Sequence, residues 1–164
     1  MKKKLLLLFV PLLLLLSACL NDPVQDDLLN YSNTEIPKVS ELEIQAVEAY
    51  DSVSGANYTD DFTMYDTLVD EVIPQYREFI EELEKIEVET DELRALHEDY
   101  IKAANTQYNA FAKIVSALEK EDPELIVEAN VMLDEARKGM RKYASDIKKL
   151  AKEHKVTFEK GEEL

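Results

Sequence analysis

Cysteine occurs once in this 164-residue chain, histidine twice and glycine three times. The single cysteine, Cys19, rules out a disulfide within the chain, so the fold must stand on its core alone. Sparse glycine goes with the absence of a Gly-rich phosphate loop and of a serine elbow. The two histidines form no His-Glu-x-x-His motif, and neither follows a glutamate at the offset used in carboxylate-bridged di-metal bundles: Arg94 precedes His97 and Ala151 precedes His154. No metal and no cofactor is expected. Basic residues are also scarce, 19 Lys and Arg against 35 Asp and Glu, for a net charge of −16. That balance lacks the basic face of a nucleic-acid-binding protein and disfavours electrostatic adhesion to anionic headgroups or polyanionic wall polymers. The longest apolar run, residues 5–16 with Pro11 inside it, falls short of the ~20 residues a membrane-spanning helix needs.

What is present at the start is a basic Met1-Lys2-Lys3-Lys4 followed by that short apolar run, the layout of a signal peptide. Directly after it stand Leu16, Ser17, Ala18 and Cys19. This quartet resembles a lipobox, the motif at which the bacterial lipoprotein signal peptidase cleaves before the cysteine. The resemblance implies a signal peptide over residues 1–18, a diacylglycerol on the Cys19 thiol, acyl chains such as palmitate, and a location on the extracytoplasmic face of the cell membrane. Two acyl chains anchor stably where one binds only marginally. The competing reading is an ordinary secretory signal with a coincidental cysteine. Loss of Lys2, Lys3 and Lys4 with the leader would take the net charge from −16 to −19.

Residues 19–38 hold the lipidated cysteine, Pro23, Pro37 and several Asp and Asn with little apolar periodicity, and are expected to be a flexible tether. About 18 such residues would reach ~20–25 Å. Residues 39–164 are expected to form the folded domain. Apolar residues there recur at steps of three and four, the mark of helices. A shorter first helix runs from Val39, opened by a Ser40–Glu43 capping box and closed by Gly55. Three long helices follow, capped by Thr59 or Asp60, by Thr90, and by Asp122 with Pro123. The breaks at Val88-Glu89 and Lys120-Glu121 are short enough to force antiparallel neighbours. The expected fold is all-α: an antiparallel up-down-up bundle of three long helices with coiled-coil-like packing, plus the short N-terminal helix. The acidic end of the second helix (Glu78, Glu81, Glu82, Glu84, Glu87) should lie beside the basic end of the last (Arg137, Lys138, Arg141, Lys142, Lys148, Lys149, Lys152). Pro74 should kink the second helix near Val72 and Ile73. Gly139 either allows a close backbone approach or is a tolerated surface glycine.

Three residues on the apolar stripes form a candidate ligand site: His97, Tyr100 and Tyr76. His97 reads either as a titrating or ligand-binding group or as a core-edge histidine bonded to a neighbour. The tyrosines read as core residues with hydroxyls at the rim, or as the lining of a pocket. Val72-Ile73-Pro74-Gln75-Tyr76, Leu96-His97-Glu98-Asp99-Tyr100-Ile101 and Glu121-Asp122-Pro123-Glu124-Leu125 behind such a leader resemble a group of small lipoproteins from Bacillus-type bacteria. That resemblance implies location and an all-helical fold, and no site residue. The expected function is a non-enzymatic interaction module that meets an envelope protein or wall component. The alternative is a carrier or sensor holding a small ligand near His97 and Tyr100.

Overall fold

The computed structural model describes residues 22–157, and every regular element among them is helical. The expected signal peptide, the Leu16, Ser17, Ala18, Cys19 motif and the lipidated Cys19 lie outside the described residues. No described helix is long and apolar enough to cross a membrane.

Helix formation starts at Asp22. Its carboxylate accepts the backbone N–H groups of Val24 (3.2 Å) and Gln25 (3.3 Å), and Pro23 takes the first helical position, where a missing N–H costs nothing. From there α1 (Pro23–Asn30), a π-helical segment (Tyr31–Glu35) and α2 (Ile36–Ser52) run on as one rod. This corrects two expectations. The described part of the 19–38 tether is helix, and the first helix is not short and does not begin at Val39. Val24, Leu28, Tyr31, Ile36 and Val39 are all buried, so this segment carries a core stripe of its own. The step of five between Tyr31 and Ile36 breaks the three-four rhythm and hides that stripe.

The second rod is built the same way: α3 (Asp61–Thr67), a π-helical segment (Leu68–Val72) and α4 (Ile73–Leu83). Its entry is capped by Asp60, which accepts the Thr63 N–H at 2.9 Å. In both rods a proline, Pro37 or Pro74, follows the π segment as the second residue of the next α-helix. Proline offers no N–H and crowds the carbonyl four residues back. Widening the turn relieves this: the Ile36 N–H bonds the Tyr31 carbonyl and the Ile73 N–H bonds the Leu68 carbonyl, a five-residue step in each case. The discontinuity expected at Pro74 therefore takes the form of a π turn inside a continuing helix.

The two longest helices, α5 (Asp91–Lys120) and α6 (Pro123–Glu153), are each about 45 Å long. Glu121 links them in the left-handed region (φ 50°), while the Asp122 N–H bonds the Ala117 carbonyl at 3.0 Å and the Asp122 side chain caps α6 through the Glu124 N–H at 2.9 Å. So tight a link makes them antiparallel, and the pairs Lys113–Glu128 and Lys142–Asp99, both 2.6 Å, step along them in opposite directions. A Cβ on Gly139 would lie 2.8 Å from the Ala103 Cβ, so this glycine serves a close approach of the two backbones.

The first rod packs on the second, and the second also packs on α5. The Asp27 carboxylate reaches the start of α5, where it accepts the Thr90 hydroxyl (2.6 Å) and the N–H groups of Thr90 (2.8 Å) and Glu89 (3.4 Å). Thr90 thus sits at the expected N-cap but gives its hydroxyl to Asp27 and does not cap its own helix. Ser40 lies inside α2, so the Ser40–Glu43 capping box is not formed. The expected pairing of acidic α4 with basic α6 is not among the described ion pairs, because α4 packs on α2 and α5. Tyr76, Phe79, Leu83, Leu93, Phe111 and Ile147 fill the interior. Each such large side chain contributes about 1.5–3 kcal/mol on burial.

Candidate functional site

Between the first rod and α6 the backbones stand further apart than at the other seams, and polar side chains bridge the gap. At the N-terminal end His154 Nδ1 lies 2.8 Å from the Asp22 carboxylate, and the Gln25 side-chain amide donates to the His154 carbonyl at 3.0 Å. Deeper in, the Tyr143 hydroxyl donates to the Tyr31 hydroxyl at 2.9 Å. Tyr31 Oη lies 3.0 Å from His97 Nδ1. Because Tyr31 accepts from Tyr143, its own proton goes to Nδ1. The neutral imidazole then carries its hydrogen on Nε2, which is buried and has no hydrogen-bond partner among the described residues.

A second polar pair lies beside this relay. The Tyr100 hydroxyl donates to Glu43 Oε2 at 2.5 Å, and the Tyr100 and Tyr143 rings stack, 4.4 Å apart and 10° from parallel. Tyr76 packs edge-on against Phe79 and Phe111, and its fully buried hydroxyl has no hydrogen-bond partner among the described residues.

Burial dominates the electrostatics. It pushes the phenols of Tyr31, Tyr76 and Tyr143 well above their ordinary value of 10.0. Tyr100 rises for the same reason and further because Glu43 is beside it. Burial also raises the half-buried Glu43 carboxyl, an effect the Tyr100 hydrogen bond opposes. His97 moves down from 6.5 through burial, against the Leu83 carbonyl and the Glu98 charge. The hydroxyls are therefore held as donors and the imidazole as a neutral acceptor.

A cleft of about 500 Å³ opens on this seam. Its lining includes Ser32, Glu43, Tyr100 and Tyr143, with apolar contributions from Ile44 and Met140. Ser32 is 7% exposed, and its hydroxyl, closed off from solvent, has no hydrogen-bond partner among the described residues. A second hollow, about 700 Å³, lies near the opposite end of the helices between Tyr50, Tyr58, Ile114 and Pro123. The Tyr58 hydroxyl there is already taken by Asp61 at 2.7 Å. Among the described residues no group of three or more His, Cys, Asp or Glu side chains could hold a metal ion.

Of the three residues proposed from sequence, Tyr100 lines the cleft, while His97 (5% exposed) and Tyr76 (0%) lie in the core behind it. Tyr31, Ser32 and Glu43 were not foreseen. The first two fell in the presumed tether and the third in a presumed capping box. The four- and three-residue steps from Val24 through Leu28 to Tyr31 were the available signal. No family model, curated protein or solved structure matches this chain.

Proposed function

We propose that this chain is a lipoprotein held on the extracytoplasmic face of the cell membrane by diacylglycerol on Cys19, akin to the small lipoproteins of Bacillus-type bacteria. Its domain is an up-down-up-down bundle that binds without catalysis. The bound species is a small ligand, received in the cleft between the first rod and α6. One observation carries the ligand reading: the half-buried Glu43, with Tyr100 and Tyr143 beside it, lines one cleft of about 500 Å³, within the size range of small-molecule sites.

Intact-mass measurement of protein from native membranes tests the anchor. The expected species begins at Cys19 and carries the mass of its acyl chains; an unmodified Cys19 sulfur or a retained Met1 contradicts it. Screening small molecules by amide shifts at Ser32, Glu43 and Tyr143 tests the binding site. Shifts confined to other faces would count against the cleft.

A second reading, docking to an envelope protein, draws on Phe62 (74% exposed) and Tyr58 (47%) near the opposite end of the helices. Crosslinking from Phe62 in intact cells tests it, with a reproducible single adduct as the expected result and no adduct as the contrary one.

A further inference from the structure

Glu43 is the one carboxylate among the residues lining the cleft, and only half of it is engaged. Oε2 accepts from Tyr100, while Oε1 has no protein donor among the described residues. Around it the wall turns apolar, with Ile36, Ile44 and Met140. Ser32 lies some 16 Å away along the first rod, at the other end of the lining. Arg141, also among the lining residues, is exposed. The chain as a whole is strongly negative, which draws cations towards its clefts.

The geometry points to a specific class of occupant: a small, elongated apolar molecule bearing a protonated nitrogen, with its N–H donors on Glu43 Oε1 and its body along Ile44 and Met140 towards Ser32. This rests on the cleft being the binding site. An ammonium supplies the donor that Oε1 lacks, and the charge that a half-buried carboxylate lacks. An anionic ligand would meet Glu43 with like charge. A neutral ligand would fill the apolar part and leave the carboxylate unanswered. Hydrogen bonds to a charged group are the stronger kind, so the nitrogen decides selectivity and the apolar wall decides size.

Three indoles of one shape separate these cases: tryptamine (cation), tryptophol (neutral) and indole-3-acetate (anion). The chain contains no tryptophan, so indole emission belongs to the probe. Titrations on the full chain, with amide shifts to locate the site, should show tryptamine binding at least about tenfold more tightly than tryptophol, and indole-3-acetate more weakly still. Glu43→Gln should erase the preference for tryptamine and leave tryptophol unchanged. Equal binding of tryptamine and tryptophol, or a preference for indole-3-acetate, would overturn the amine assignment and leave the cleft standing. Shifts that avoid Ser32, Glu43 and Tyr143 for all three probes would remove both. Should the Glu43→Gln protein fail to fold, the ratio of the two affinities in the unaltered protein still decides.

Discussion

The Tyr31 hydroxyl sits between Tyr143 and His97, accepting from the first at 2.9 Å and donating to the imidazole of the second at 3.0 Å. One phenol thus satisfies two buried groups that belong to different helices.

Removing that hydroxyl should cost more than removing its neighbour's. Tyr31→Phe strands both the Tyr143 hydroxyl and His97 Nδ1, an expected loss of about 1–3 kcal/mol. Tyr143→Phe leaves Tyr31 still bonded to His97 and should cost about 0.5–1.5 kcal/mol. The double variant should be barely worse than Tyr31→Phe alone, because the two changes delete one shared bond. Urea titration of the three variants reads the ranking; equal and additive losses would contradict the relay.

His97 should make the protein sensitive to acid. Burial lowers its folded pKa below 6.5, so protonation favours the unfolded chain. Its contribution is complete above pH 6.5 and is lost as pH falls through the lowered folded value. Glu43 has the opposite sign: its raised folded pKa favours the protonated, neutral form, so its contribution is present at low pH and lost as pH rises through the folded value. Melting temperatures between pH 4.5 and 8 should therefore fall on the acid side less steeply in His97→Gln, and more steeply in Glu43→Gln, than in the parent.

At Gly139 two effects of opposite sign compete. Alanine would add about 1 kcal/mol of helix propensity. Its Cβ would also stand 2.8 Å from the Ala103 Cβ, an atom tied to backbone that cannot rotate aside. Overpacking of this kind costs about 1–3 kcal/mol, so Gly139→Ala should destabilise, and Ala103→Gly in the same chain should restore most of the loss. A rise in melting temperature with Gly139→Ala alone would show that the helices yield.

Asp27 should hold the N-terminal helix down. Asp27→Ala deprives the Thr90 and Glu89 N–H groups of their acceptor, at about 1–3 kcal/mol. The sharper reading is local: amide exchange across residues 23–30 should accelerate more than exchange in α5. Rapid exchange of these amides in the unaltered protein would return the segment to the tether first expected.

The sequence made the all-helical class and the entry at Asp122 legible, and narrowed the second rod's entry to Thr59 or Asp60, because period and caps are local signals. The Glu121 turn was equally plain from Asp122-Pro123. It hid α1, since two prolines and several carboxylates imitate a linker, and since a π turn shifts the stripe by one residue. The site was half legible for the same reason. Tyr100 stands on a regular stripe, whereas Tyr31 and Ser32 lie within the π segment that disturbs the rhythm. Glu43 looked like a helix cap because its true partner, Tyr100, is far away in the chain.

A rod that begins at Pro23 leaves little slack below it. Only Leu20 and Asn21 separate Cys19 from Asp22, at most about 11 Å of extended chain, roughly half the stand-off a loose leash over residues 19–38 would give. With lipid on Cys19 the base of that rod would be held close to the bilayer. The Ser32 end of the cleft lies only about 15 Å along the rod from that base. A guest that partitions into the membrane interface could enter without first crossing open water.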